Sequence, residues 1–240
     1  MNPLKQLLDY GQSVWLDYIR RGLITSGDLK KHIDEDGLRG VTSNPAIFEK
    51  AINGSDDYSG RLKALEQQGI TDPVKLFEGI AVADIQDAAD VLRPIYDQTK
   101  AADGYVSLEV SPYLGRNTQG SIAEARRLRG LAGRPNVMIK VPGTTEGIPA
   151  IRQLISEGIN INITLLFAVE TYQQVAEAFV AGLEQRLKNG GSVSGIASVA
   201  SFFVSRIDSA VDPVLAAKPE AQHLPGKVAI ANAKIAYQRY

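Results

Sequence analysis

The sequence predicts an α/β protein built on a parallel sheet with helices packed outside it. Three observations predict this: short apolar strands alternate with longer helical segments, Gly or Asn-Gly-Gly stops follow those helices, and polar residues recur at one end of the strands. Helices that separate successive strands supply the crossovers a parallel sheet needs.

The elements follow in order. Asn2 before Pro3 is a helix start, and Leu4, Leu7 and Leu8 carry a short helix to about Gly11. Residues 13–17, apolar with Asp17 at the end, read as the first strand. A polar helix over 26–34 closes at Gly37, and 40–45 reads as a short strand ending in a turn. Helices then fill the stretch to about residue 103: one starts after Asn44, one covers 56–68, and a long one follows Asp72-Pro73. Pro94 should kink that long helix or end it.

Four more strands are expected at 105–110, 136–141, 159–165 and 196–201, with helices at 118–131, 145–157 and 169–188 between them. Residues 216–226, holding Pro219 and Pro225, read as a surface loop before a last helix over 227–240.

Composition narrows the function. A chain of 240 residues, 44% hydrophobic, can bury one large core. With 26 basic against 27 acidic residues and no run of like charge, nothing points to nucleic acid or an anionic membrane. Cysteine is absent, which excludes thiolate catalysis, disulfides and cysteine-ligated metal for this chain. His32 and His223 are far apart in polar contexts and read as surface residues, against a histidine metal cluster or a serine–histidine triad. The stretch Met1 to Gln6 lacks the basic start and apolar core of a signal peptide, and no apolar run is long enough to span a bilayer. A soluble, cytoplasmic protein is expected.

Lys140 carries the chemistry. It lies inside Val137-Met138-Ile139-Lys140-Val141-Pro142, an apolar run that reads as a buried strand. An ammonium taken into such surroundings loses hydration, so the free amine becomes accessible as a nucleophile toward carbonyl carbon. Two plainer readings stand beside this one: a lysine snorkelling out at the strand end, or one paired with a carboxylate for structural reasons. Asp17, Asn44, Glu109, Asn162, Thr164 and Ser201 sit at or near the ends of the other strands, and such ends converge on one face in a parallel barrel. Each has its own plain alternative. Asn44 before Pro45 fits a turn or helix cap, Asp17 a cap on the next helix, and Glu109 a salt bridge. Thr164 and Ser201 could satisfy local backbone groups. Arg206, beyond Ser201 at a helix start, offers a phosphate contact or is one more surface arginine. Together they supply an amine nucleophile, two acids or bases and polar anchors, the set that reversible carbon–carbon cleavage of a polyhydroxy ketone needs.

At these residues the chain resembles the transaldolase family. Gly40-Val41-Thr42-Ser43-Asn44-Pro45-Ala46-Ile47-Phe48 looks like its first signature, and Val137 to Pro142 like the segment around its Schiff-base lysine. Asn162-Ile163-Thr164-Leu165-Leu166-Phe167 and Ser201-Phe202-Phe203-Val204-Ser205-Arg206 are similar to its next two strand ends. The resemblance implies a TIM (β/α)8 barrel of the class I aldolase type, with no metal and no organic cofactor, acting on sugar phosphates in the non-oxidative pentose phosphate pathway. It implies that Lys140 attacks the ketone of fructose 6-phosphate or sedoheptulose 7-phosphate and that Asp17 takes the C4 hydroxyl proton. Glu109 and Thr164 would hold a proton-shuttling water, Asn44, Asn162 and Ser201 would grip the three-carbon fragment, and Arg206 would bind phosphate. The acceptor would be erythrose 4-phosphate or glyceraldehyde 3-phosphate.

Such a barrel has eight strands, and about six are apparent here. The expectation is one domain over 1–240 with a helical insertion at about 44–103, truncated at its C-terminus so that the last two strands and their phosphate-binding residues are missing. The chain would then be part of a longer protein, continued at its C-terminus or fused to a sugar-phosphate isomerase domain, and a homo-oligomer fits equally. Two alternatives remain open: a fructose 6-phosphate aldolase, against which Glu109 argues because a glutamine tends to hold that place in that branch, and an inactive fragment that needs further sequence to fold and act.

Overall fold

A computed structural model describes residues 2–240. Its six strands form one sheet in chain order, β1 (Val14–Asp17), β2 (Leu38–Thr42), β3 (Tyr105–Glu109), β4 (Val137–Pro142), β5 (Ile161–Leu166) and β6 (Ser198–Phe202). The α/β class and all six strands are those the alternation predicts, with ends displaced by up to three residues. No helix among the described residues is long and apolar enough to cross a membrane.

The chain divides into two compact units. The first holds the residues up to Val110 with Glu124–Ile139 and Gly195–Ala197; the second holds Ser111–Ala123, Lys140–Ser194 and Ser198–Tyr240.

In the first unit β1, β2 and β3 pair in parallel, with Asp17 opposite Thr42 and Val41 opposite Val106. The N-terminal helix α1 (Pro3–Gln6) is capped by the Asn2 side chain and runs into a 3-10 turn that stops at Gly11. A short helix not expected from the sequence, α2 (Arg21–Thr25), comes next; the polar helix expected over 26–34 is a short helix, α3 (Asp28–Lys31), that widens into a π turn over His32–Asp36. His32 Nδ1 lies 2.7 Å from the Asp36 carboxylate across that turn, and Gly37 ends it at φ 73, a conformation glycine adopts without penalty.

Between β2 and β3 come α4 (Pro45–Asn53), α5 (Ser59–Gln67) and α6 (Pro73–Gln98). Ala51, Tyr58, Leu65 and Ile80 give this insertion a small core of its own. The apolar face of α6, with Ile80, Ile85, Ala88, Ala89 and Leu92, repeats at helical spacing and is buried. Pro94 does not end α6, one of the two outcomes expected of it. Pro94 is an exposed residue, and so is Asp90, whose carbonyl it leaves without an N–H.

Two polar ties hold α6 in place. Asp84, fully buried, accepts from Arg21 and, at 2.9 Å, from the Tyr58 hydroxyl, while Tyr58 Oη accepts from Arg21 N at 3.0 Å. Burial pushes the Asp84 carboxyl above the usual range, and the adjoining Arg21 charge opposes that shift. The buried Asn136 amide donates to Ala89 O at 2.8 Å and Gly104 O at 2.9 Å, joining the helix to both strand approaches.

In the second unit β5 and β6 pair in parallel, Ile163 opposite Ala200, with an irregularity before Leu166 meets Phe202. Leu165 sits at that irregularity with φ 60, in the left-handed region. Helices α8 (Gly147–Ser156) and α9 (Val169–Lys188) pack closely, with Gly182 against Ile155, and bury Ile151, Leu154 and Ile155 on α8 and Val175 and Ala178 on α9. α7 (Thr118–Ala132) and β4 contribute residues to both units. α10 (Ser205–Ala216) and α11 (Val228–Tyr237) bury little; the segment between them holds a 3-10 turn that tucks in Ala221.

Candidate active site

In the first unit three polar residues stand at one end of one sheet. Asp17 closes β1 and is exposed; Asn44 follows β2; Glu109 closes β3 and is half-buried. β2 and β3 pair with Val41 opposite Val106, so Asn44 and Glu109 lie beyond the paired residues at the same end of the two strands. Asn44 is a helix cap, as one reading allowed: its Oδ1 accepts from Ile47 N at 2.9 Å at the start of α4. The capping alternative for Asp17 is not seen, since Arg20 occupies the N-cap of α2 and that position has no side-chain cap.

Ser43, one residue before Asn44, is buried and donates to Ser107 O at 2.8 Å. It fastens the end of β2 to β3 and so fixes where Asn44 emerges. Sequence reading passed over it because a serine inside a signature has no periodicity of its own.

In the second unit Lys140 is 4% exposed within β4, whose residues are all buried. The snorkelling alternative therefore fails for Lys140. It shares a strand face with Met138 and Pro142, by the alternation of side chains along a strand. Neither Lys140 nor Glu109 lacks an interaction partner.

Asn162 and Thr164 lie on one face of β5 and are buried at 1% and 2% exposure. Ser201 on β6 donates to Asn162 Oδ1 at 2.8 Å, so it orients a side chain and does not satisfy local backbone, as its alternative reading had it. Thr164 O accepts from Gly143 N at 2.8 Å, which ties β5 to the turn that follows Lys140. Arg206 is the second residue of α10 and exposed, its guanidinium 4.6 Å from the Phe203 ring centroid.

The turn after β4 is itself held. Thr144 Oγ1 donates to Gly115 O at 2.6 Å and accepts from Gly147 N at 3.0 Å, while Thr118 Oγ1 donates to Glu146 O at 2.7 Å. A cleft of about 410 Å³ opens beside it, lined by Arg116, Thr144, Glu146, Thr171 and Gln174 among others. Lys140 does not line that cleft.

Chemically, the first unit offers two carboxylates and an amide at one sheet end. The second offers a buried amine, an amide and hydroxyls on strand faces, and a guanidinium. Carboxylates move protons, a desolvated amine adds to carbonyls, and amide–hydroxyl pairs bind polyols.

Comparison with known proteins gives these residues their context. A model of the transaldolase/fructose-6-phosphate aldolase family matches residues 14–240. Transaldolase 2 of Nostoc punctiforme is 49% identical over 252 aligned residues, covering 100% of this chain and 65% of the relative. The transaldolase of Trichodesmium erythraeum is 47% identical and that of Thermobifida fusca 50%, each again with 100% of this chain and 65% of the relative covered. The chain thus spans about 65% of the length of these curated relatives. Matched over nearly its whole length, it belongs to the transaldolase/fructose-6-phosphate aldolase family.

Proposed function

We propose that this sequence carries the catalytic machinery of a transaldolase, moving a dihydroxyacetone unit from fructose 6-phosphate or sedoheptulose 7-phosphate to an aldose phosphate. The observation that carries the reading is the burial of Lys140, 4% exposed in a strand of otherwise apolar side chains. Burying an amine is costly, and a nucleophile toward a ketone is a reason to bear that cost. Family membership supports the same assignment.

In this reading Lys140 Nζ adds to the C2 ketone, and loss of water from the carbinolamine gives an iminium. Glu109 and Thr164 hold the water through which those protons pass. Asp17 takes the C4 hydroxyl proton; the C3–C4 bond breaks, its electron pair moves into the iminium, and an aldose phosphate leaves. The enamine stays covalently bound while Asn44, Asn162 and Ser201 grip its hydroxyls, until an acceptor aldehyde accepts the new bond and the proton returns. The Ser201–Asn162 hydrogen bond of 2.8 Å supports that grip, since it fixes which way the amide faces. Arg206 binds the phosphate. All eight residues would serve one barrel domain with the insertion at about 44–103, working on sugar phosphates in the cytoplasm.

The test is borohydride trapping. Incubation with fructose 6-phosphate and borohydride should label the wild-type chain at Lys140, and Lys140→Ala should lose both label and turnover. Label persisting in the variant removes Lys140 from the role. Fructose 6-phosphate alone, against the same with erythrose 4-phosphate, separates transfer from simple cleavage. Free dihydroxyacetone released without an acceptor would favour the aldolase side of the family.

A further inference from the structure

Several arginines of this chain sit against carboxylates: Arg20 on Asp57, Arg21 on Asp84, Arg93 on Asp97, Arg127 on Glu78 and Glu124, Arg134 on Asp90. Arg206 does not. Among the described residues its guanidinium has no ion-pair or hydrogen-bond partner, and it lies 4.6 Å from the centroid of the Phe203 ring. The difference is physical. A carboxylate holds a guanidinium by neutralising it and using up its N–H donors. An aromatic face holds it through the ring quadrupole and leaves both charge and donors for something else.

The ring beneath Arg206 is fixed in turn. Phe203 stacks on Phe167, with centroids 5.1 Å apart and planes 17° apart. Phe203 N donates to Leu166 O at 2.9 Å, and Phe167 O accepts from Asn232 Nδ2 at 2.7 Å, so strand end and α11 both hold the platform. A planar cation restrained from below presents its donor edge with less rotamer freedom left to lose on binding, which favours a tetrahedral oxyanion.

We propose that Phe203, backed by Phe167, is a positioning residue that presents the Arg206 guanidinium to the phosphate of a phosphorylated substrate. It acts through Arg206 and does not touch the reacting carbons. The inference rests on Arg206 being the phosphate contact, as assigned above.

The experiment is a double-mutant cycle with Phe203→Leu and Arg206→Ala, read on fructose 6-phosphate, on unphosphorylated fructose, and on inorganic phosphate through the Arg206 Nε–Hε resonance. A cation–π contact at an exposed site corresponds to about two- to fivefold in affinity. Phe203→Leu should therefore raise KM for fructose 6-phosphate, and weaken inorganic phosphate binding, by about that factor. Its kcat should hold, fructose should be unaffected, and Phe203→Trp, which keeps a ring face, should stay near wild type. In the Arg206→Ala background Phe203→Leu should add nothing.

Equal losses on fructose and fructose 6-phosphate, or the same Phe203→Leu loss with and without Arg206, overturn the proposal. The resonance separates it from the catalytic reading. A chain that turns nothing over but whose Arg206 signal shifts with phosphate, less so in Phe203→Leu, keeps this inference and loses that one. An active chain whose Arg206 signal ignores both phosphate and fructose 6-phosphate does the reverse.

Discussion

A single methyl group tests how tightly the turn after β4 is built. A Cβ placed on Gly147 would meet Pro142 O at 1.9 Å, and the obstacle is backbone, which cannot rotate away. Gly147→Ala should destabilise the chain by about 1–3 kcal/mol in urea unfolding, the range for forced backbone shifts in a packed region. A variant as stable as wild type would mean that the turn is loose. Leu165 poses the opposite question. A branched side chain held at φ 60 costs about 1 kcal/mol or more. Leu165→Gly relieves that cost while freeing the unfolded chain, so thermal unfolding should show little or no loss, whereas Leu165→Val should lose at least about 1 kcal/mol.

At this scale the sequence was legible where chemistry contradicts its surroundings. A lysine in an apolar strand announces itself, and the structure buries it. Asn44 before Pro45 was readable as a cap because that dipeptide has its own backbone logic. Ser43 and Thr144 were not readable. Each donates to a carbonyl far off in sequence, and no local pattern records such a partner. The left-handed Leu165 was equally silent, since it arises from register between β5 and β6 and leucine gives no sign of it.

Among the elements, α6 carries the most instructive polar contacts. Asp84→Ala should cost about 3 kcal/mol or more, because it strips Arg21 and Tyr58 of a fully buried partner. Asp84→Asn should cost less, since burial already raises the Asp84 carboxyl and the amide carries no charge to desolvate. Urea denaturation of both variants checks the order, and Asn worse than Ala would refute it. The π turn gives a pH signature. The hydrogen bond from His32, with a second from Asn2, holds the Asp36 carboxyl below its usual 3.8. A lowered carboxyl contributes stability that is complete above the unfolded value and lost as pH falls through the folded one. The stability difference between wild type and Asp36→Asn should therefore shrink as the pH drops below ~4. A gap that widens on acidification would reverse the assignment.

Helix and strand existence was legible from periodicity, while internal breaks were not. The division of 26–34 into a short helix and a π turn depends on the His32–Asp36 contact and the Gly37 stop acting together. Of the two outcomes expected at Pro94, ending the helix is excluded; Pro94 and Asp90 are both exposed residues, so no buried packing is disturbed by the missing hydrogen bond.

For the molecule as a whole, near-neutral charge is the governing quantity. A net charge of −1 and a pI of about 6.2 leave little repulsion between copies, and Tyr10, Val74, Tyr113, Tyr237 and Tyr240 are largely exposed. Light scattering should show most self-association near pH 6 and least above pH 8, where net charge has grown. Scattering unchanged across that range would mean that neither charge nor the exposed tyrosines control solubility.

The strand order has a further consequence, for how the chain is made. Because spatial order follows chain order, β2 can dock on β1, and β3 on β2, as soon as each leaves the ribosome. Among β1 to β6 no strand waits for one of the others synthesised much later, so this part of the sheet can grow a step at a time during translation. The long helical stretch between β2 and β3 sets the one real delay, during which a two-stranded ribbon must wait for its next neighbour.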